Sequence, residues 1–336
     1  MTAVTSAPAA TAAPGRLRAA FQQRWVRFAL RRAGRLLVSL WVIVTAAFLI
    51  IHLIPGDPVR AAMGLTASPA VVEARREALG LNLPLWEQYL RFWQGLFTGD
   101  LGTSITNRLP VWDTIARRLP ATLALALPAF AVALLLAIPI GVGMAVLTRH
   151  GRHRRAELAF VGASTVLGTI PDFVYGFMLV ALFGVTLRWL PVAGRTSPAH
   201  YVLPVLALSI GSIAVLSRIV RVEVLGVLRT DYVRTARAKR LPAWRVYLRH
   251  ALPNAVTATL TLGGMLLAGL VAGTVLVENV FNWPGLGTTI VTAITANDYP
   301  VAQGCLLVYG VIVLVVNTLV DLILALLDPR STVSEG

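Results

Sequence analysis

Six apolar runs, each of about the length a helix needs to cross a bilayer, constrain this chain more than any other feature. A helix rises about 1.5 Å per residue and needs roughly 17 to 25 apolar residues to traverse hydrocarbon. Leu36 to Ile54, Ala121 to Leu147, Leu158 to Leu187, Val202 to Ser217, Val256 to Leu276 and Val301 to Leu327 meet or approach that length. Only 13% of the residues are charged and 57% are hydrophobic, whereas a soluble domain carries about a quarter charged. The expected fold class is therefore an all-α membrane protein with six transmembrane helices. Pro55-Gly-Asp-Pro58 closes the first run where a signal peptide would show a small-residue cleavage site, so this run is expected to persist as a helix.

The charges orient the spans. Of the 30 basic residues, 21 fall in residues 1–35, 148–157, 218–254 and 328–336, with 5 acidic residues among them; the alternate pieces 55–120, 188–201 and 277–300 carry 9 basic and 8 acidic. Arginine and lysine accumulate on cytoplasmic loops, which predicts both termini inside. A basic excess spread over short loops between spans also argues against a nucleic-acid partner. Residues 1–35 form a basic cytoplasmic segment, within which Leu17 to Arg35 reads either as an amphipathic helix on anionic lipid or as a simple orientation signal. Residues 36–54 are the first span and 55–120 an outer subdomain, with helical spacing over Ala70 to Leu79. The core follows at 121–327, with its basic inner loop at 218–254 and a cytoplasmic tail at 328–336.

Several chemistries are missing. Lys239 is followed by Arg240, so no phosphate-binding Gly-Lys-Ser/Thr loop is present. The five histidines are scattered without metal-ligand spacing, and Cys305 is the single cysteine. No catalytic centre and no metal site are expected. What remains are polar residues at membrane depth, which are costly in lipid and face protein or a watery path. Asp172 follows Pro171 near the middle of the third run, where proline favours a kink or break. Glu278 closes the fifth run and is expected to face the outer aqueous side. Asn317 and Asp321 share one face of the sixth helix, suited to helix-to-helix hydrogen bonding or to substrate contact.

Asp231 to Leu241 reads DYVRTARAKRL, and Leu252-Pro253-Asn254 opens the fifth span shortly after. This resembles the cytoplasmic coupling loop of ABC importer permeases, and most of all the dipeptide, oligopeptide and nickel permease family. Pro55-Gly-Asp-Pro58, Gly99-Asp-Leu-Gly-Thr-Ser104, Arg118-Leu-Pro-Ala-Thr122, Glu278-Asn-Val-Phe281, Pro284-Gly-Leu-Gly287, Asp298-Tyr-Pro300 and Asp328-Pro-Arg330 continue the likeness in order from about Leu36 to Arg330.

The resemblance implies a type I ABC importer permease in a bacterial plasma membrane, paired with a second homologous permease, two ATP-binding subunits and an extracytoplasmic binding protein. ATP and Mg would belong to the partner subunits, and this chain would hold no cofactor. It also implies that Asp231, Tyr232, Arg234, Ala236, Arg237, Ala238, Lys239, Arg240, Leu241 and Pro242 form the surface that seats in an ATPase groove. Leu225, Leu228, Tyr232 and Ala236 offer an apolar stripe and the basic residues offer charge pairs. The family places glycine where Arg240 stands, and Pro242 provides another way to end the helix, by biasing Leu241 away from helical geometry. Dipeptides or oligopeptides are the expected solutes, with nickel chelates, glutathione and other small solutes as alternatives. A stand-alone secondary transporter or channel is the rival class, since it would use ion-coupling sites at broken helices. The outer subdomain would meet the binding protein or pack on the partner permease, and Asp172 would offer a negative charge to a peptide amino terminus.

Overall fold

The computed structural model describes residues 14–53, 57–64, 67–151, 153–239, 242, 245 and 252–327. Among these the structure is helical throughout, with one isolated bridge between Thr103 and Pro110. Helix α1 spans Pro14–Leu53 without interruption, so residues 14–35 run into the first span as one helix. Three short helices then build the subdomain that the charge distribution assigns to the outer side: α2 (Pro58–Met63), α3 (Pro69–Ala78) and α4 (Leu85–Thr98). Asp57 caps α2 by accepting from Val59 N at 3.0 Å, which satisfies one of the donors a helix start leaves open. Gly80 follows α3 at φ 68°, where only glycine is unstrained. Tyr89 ties α4 to α1 through the Thr45 hydroxyl at 2.8 Å and through an edge contact with Phe48.

The bundle follows. Helix α5 (Val111–Thr148) carries Pro120, Pro128 and Pro139 inside it. It starts at Val111, ten residues before the apolar run itself, because its first turn buries Val111 and Ile115 against the last helix. The third run is broken. Helix α6 (Arg154–Thr169) and helix α7 (Asp172–Leu179), which continues in a π-helical turn to Thr186, meet at an angle of 94°. Ile170 and Pro171 are both extended there, as expected for a proline and the residue before it. Five described helices are thus long and apolar enough to cross a membrane, and the bent pair makes a sixth span if its halves are taken together.

Helix α8 (Ala199–Val227) outlasts the expected end at Ser217. It does so because Arg221 is not a loop charge: it is buried, pairs with Glu157 at 2.5 Å and donates to the Thr148 hydroxyl at 3.1 Å. A charged residue so paired can stay in a packed helix. Helix α8 lies close along α5, and a Cβ at Gly141 would fall 2.6 Å from Ser217 O, so only glycine allows that approach. The chain continues through α9 (Asp231–Ala238), α10 (Leu252–Val280), the short apolar α11 (Leu286–Thr295) and α12 (Tyr299–Leu327).

Candidate functional site

Helix α9 sits at the end of the bundle where α5 finishes and α8 leaves. Its underside is apolar: Val233 is fully buried and Ala236 nearly so, packed with Leu228, Val224, Val220 and Ala145. Asp231 and Arg234 lie on the outer side, 94% and 76% exposed, and form a solvated ion pair at 3.2 Å. Tyr232 is exposed too, as are Ala238 and Lys239. The stripe read from the sequence is therefore divided. Leu228 and Ala236 face inward with Val233, which the spacing missed, while Tyr232 points away. The cause is the turn at Leu228 to Thr230, which separates α8 from α9 and resets the helical register. Arg237 lies on α9, Pro242 is exposed and its carbonyl accepts from Arg245 N at 3.0 Å. Arg240 and Leu241 lie outside the described residues.

Glu278 corrects the sequence reading. It was expected to face outer water and is instead fully buried. Pro284-Gly-Leu-Gly287 turns the chain back so that α11 begins directly over the carboxylate. One oxygen accepts from Gly287 N at 2.7 Å and Thr288 N at 3.1 Å; the other accepts from the Thr122 hydroxyl at 2.7 Å. Thr122 in turn accepts from Leu286 N at 2.9 Å. The carboxylate thus satisfies the open donors of a helix N-terminus, whose dipole favours a negative group. Trp283, wholly buried, donates from Nε1 to Ala121 O at 2.9 Å. Close by, Asp298 accepts from Ile105 N at 2.9 Å, from the Thr106 hydroxyl at 2.6 Å and from the Ser104 hydroxyl. These two carboxylates join the outer subdomain, α5, α10, α11 and α12 into one outer knot.

The other candidates lie apart from it. Asp172 begins α7 and is half-buried between two helices: a Cβ at Gly211 of α8 would be 3.5 Å from one carboxylate oxygen, and one at Gly273 of α10 would be 2.9 Å from the other. Asp321 pairs with Arg32 and so ties α12 to α1, which fits a helix-to-helix role. Asn317 is half-buried one turn away on α12. Asp172, Glu278, Asn317 and Asp321 do not converge into one site. Among the described residues no group of three His, Cys, Asp or Glu side chains is placed to hold a metal.

Sequence reasoning missed Val233, the Arg221–Glu157 pair and the role of Thr122, Trp283 and Asp298. A usable signal existed for the knot. A glutamate ending an apolar run six residues before a Pro-Gly-x-Gly turn is a capping carboxylate waiting for a helix start.

The family profile described as binding-protein-dependent transport system inner membrane component matches residues 137–333, and the profile for the N-terminal part of such membrane components matches residues 25–126. The chain is 38% identical over 306 residues to the glutathione transport system permease protein GsiC of Pectobacterium atrosepticum, covering 90% of this chain and 98% of that protein. The protein of the same name from Escherichia coli strain K12 is 35% identical over 305 residues, with the same coverage. Among solved structures, an inward-facing conformation of the MetNI methionine ABC transporter aligns with a TM-score of 0.54 at 17% identity, covering 64% of this chain and 96% of that one. At that identity the likeness speaks to the fold alone.

Proposed function

This chain belongs to the binding-protein-dependent transport system inner membrane components, the membrane-spanning permeases of ABC importers, and from that premise we propose that it carries small peptides of the glutathione kind inward. On this reading it forms the path with a second, homologous permease. Two ATP-binding subunits dock on α9 and hold ATP and Mg. An extracytoplasmic binding protein delivers the solute at the opposite end. On this reading both termini and α9 face the cytoplasm, which the distribution of arginine supports.

The observation that carries the reading is the build of α9. A short helix whose apolar underside is buried on α5 and α8, while its polar side is exposed, moves as a unit with the bundle and offers charge to a partner. Force applied to it reaches α5 and α8 through packed side chains. The contribution of this chain is mechanical and selective, and ATP hydrolysis belongs to the partners. The 35–38% identity to glutathione permeases over 90% of the chain supports the solute class. Asp172 is the residue we assign to a peptide amino group along the path, because it is the half-buried carboxylate at the break between α6 and α7.

The test is reconstitution. The chain, co-expressed with a second permease, ATP-binding subunits and a binding protein of the same family from its source genome, is purified and placed in proteoliposomes with ATP inside. Recovery of two ATP-binding chains and ATP-dependent uptake of labelled glutathione or a dipeptide are expected. Transport by a complex free of ATP-binding chains would overturn the proposal.

A further inference from the structure

A cavity of about 460 Å3 opens at the end of the bundle away from α9, walled by the first turns of α5, the loop before α8, and α11. Thr114 and Arg118 at its edge lie near the start of α5, whereas α9 packs beside Ala145 near the end of that helix. Two arginines, Arg118 and Arg195, line the cavity together with hydroxyls of Thr288, Thr289 and Thr292. Asp298 also lines it, but its oxygens are taken by Ser104, Ile105 and Thr106. Among the described residues no carboxylate pairs with Arg118 or Arg195.

Arg195 is held in place. Its guanidinium lies 5.6 Å from the centre of the Trp283 ring, and its Nε donates to the Tyr201 hydroxyl at 3.0 Å. Tyr201 itself packs edge-on against Trp283 at 4.6 Å. Because Nε is engaged, the fork of terminal nitrogens is left for a ligand, and that fork matches a carboxylate. A guanidinium fixed over a buried ring loses little freedom when it binds.

We infer that this cavity is an outer reception site for small peptides bearing two carboxylates, with Arg118 receiving one and Arg195 the other; the inference rests on the peptide-import reading above. The volume lies in the range of about 300–1,000 Å3 typical of small-molecule sites. An acidic side chain of a docking protein would need only a surface pair and no cavity. The Thr288, Thr289 and Thr292 hydroxyls donate to the carbonyls of Trp283, Gly285 and Thr288, which leaves their oxygens to accept from peptide N–H groups. Two arginines with no carboxylate partner also raise the local concentration of anions before any closure, an effect that salt weakens.

The experiment measures binding to the assembled complex in nanodiscs without the binding protein, using labelled glutathione and its diamide, which lacks both carboxylates. Glutathione is expected to bind more tightly than the diamide, in a salt-sensitive manner. Arg118→Gln and Arg195→Gln are each expected to lower the affinity ratio of glutathione to diamide about tenfold, as for loss of one partly screened charge-assisted bond. An unchanged ratio in both variants overturns the proposal, as does wild-type binding that ignores the carboxylates. Equal weakening of binding-protein docking by both variants, with the ratio unchanged, assigns the arginines to a protein contact and also overturns it. If arginine-dependent binding is present while reconstituted wild-type complex imports no peptide, the peptide-import reading fails and the anion site stands.

Discussion

Glu278 and Gly285 offer a test of the outer knot in which the structure fixes both the sign and the coupling. In the Glu278→Ala variant the buried N–H of Gly287 and the partly buried N–H of Thr288, which borders the open cavity, lose their acceptor. Thr122 can turn its hydroxyl toward a helix carbonyl, so the two N–H groups set most of the cost. A buried unsatisfied donor costs about 1–3 kcal/mol; the Gly287 N–H bears that cost and the partly buried Thr288 N–H adds less, so the loss is about 1–4 kcal/mol. Gly285→Ala perturbs the same place from the other side. Its φ of −103° suits any residue, so the backbone is not the obstacle. The new Cβ would fall 2.4 Å from the Glu278 carboxyl carbon and both oxygens. Overpacking of this kind costs about 1–3 kcal/mol. The obstructing atoms are absent once Glu278 is truncated, so adding Gly285→Ala to Glu278→Ala should cost almost nothing further. A double-mutant cycle should therefore show a coupling of about 1–3 kcal/mol, well above the scatter of independent sites. The assay is thermal melting of the purified protein in detergent, followed by tryptophan fluorescence. Strictly additive penalties, or a Glu278→Ala protein that melts with wild type, would refute the reasoning.

Four further outcomes follow from the geometry. Val233→Asp places a charge in the buried underside of α9 and should abolish transport-linked ATPase stimulation in the reconstituted complex while the chain still assembles into the membrane; retained stimulation would show that α9 does not carry the coupling. Asp231→Ala removes a fully solvated ion pair and should change melting by less than about 1 kcal/mol, so a large shift would mean the residue has a buried partner in the isolated chain. Arg221→Gln leaves Glu157 and Thr148 without their donor and should cost about 2–3 kcal/mol, again read by melting. Asp298→Ala should release residues 104–106, visible as faster amide hydrogen exchange of Ile105, whereas unchanged protection would remove Asp298 from the knot.

The spans and their order were legible because burial in lipid demands long uninterrupted apolar runs, which a single sequence displays directly. The outer helix at Ala70 to Leu79 was nearly in register with Pro69–Ala78, since Gly80 marks its end by its positive φ. Two of the misplacements share a cause: each concerns a polar residue whose partner is remote in sequence. Arg221 was read as a loop charge because Glu157 lies 64 residues away, and the α8 boundary moved with it. Glu278 was read as solvent-facing because Thr122 lies 156 residues away and because the α11 start exists only after the Pro-Gly-Leu-Gly turn folds back. On α9 the helical period was right within the helix but was carried across a turn that breaks it, so Tyr232 was placed with Ala236 when Val233 belongs there.

The distribution of polar bonds separates a rigid end of the bundle from a deformable joint. At the outer end the Glu278 and Asp298 carboxylates cross-link α5, α10, α11, α12 and the outer subdomain through buried hydrogen bonds, and sliding any one of these elements would leave donors unsatisfied. At the other end α9 is joined to α5 and α8 by apolar packing, which tolerates small rolling shifts without orphaning a polar group. Between them, α6 and α7 meet at 94° with the Tyr175 hydroxyl reaching across the break to Leu167 O at 2.6 Å. Asp172 stands at that break beside Gly211 and Gly273, and a side chain at Gly273 would crowd its carboxylate. On the coupling reading, a displacement delivered at α9 is therefore carried by α5 and α8 as whole helices, resisted at the outer knot, and taken up as a change of angle where α6 meets α7. That places the moving joint beside the carboxylate assigned to the solute, so that reorienting the bundle and changing the environment of Asp172 are one event.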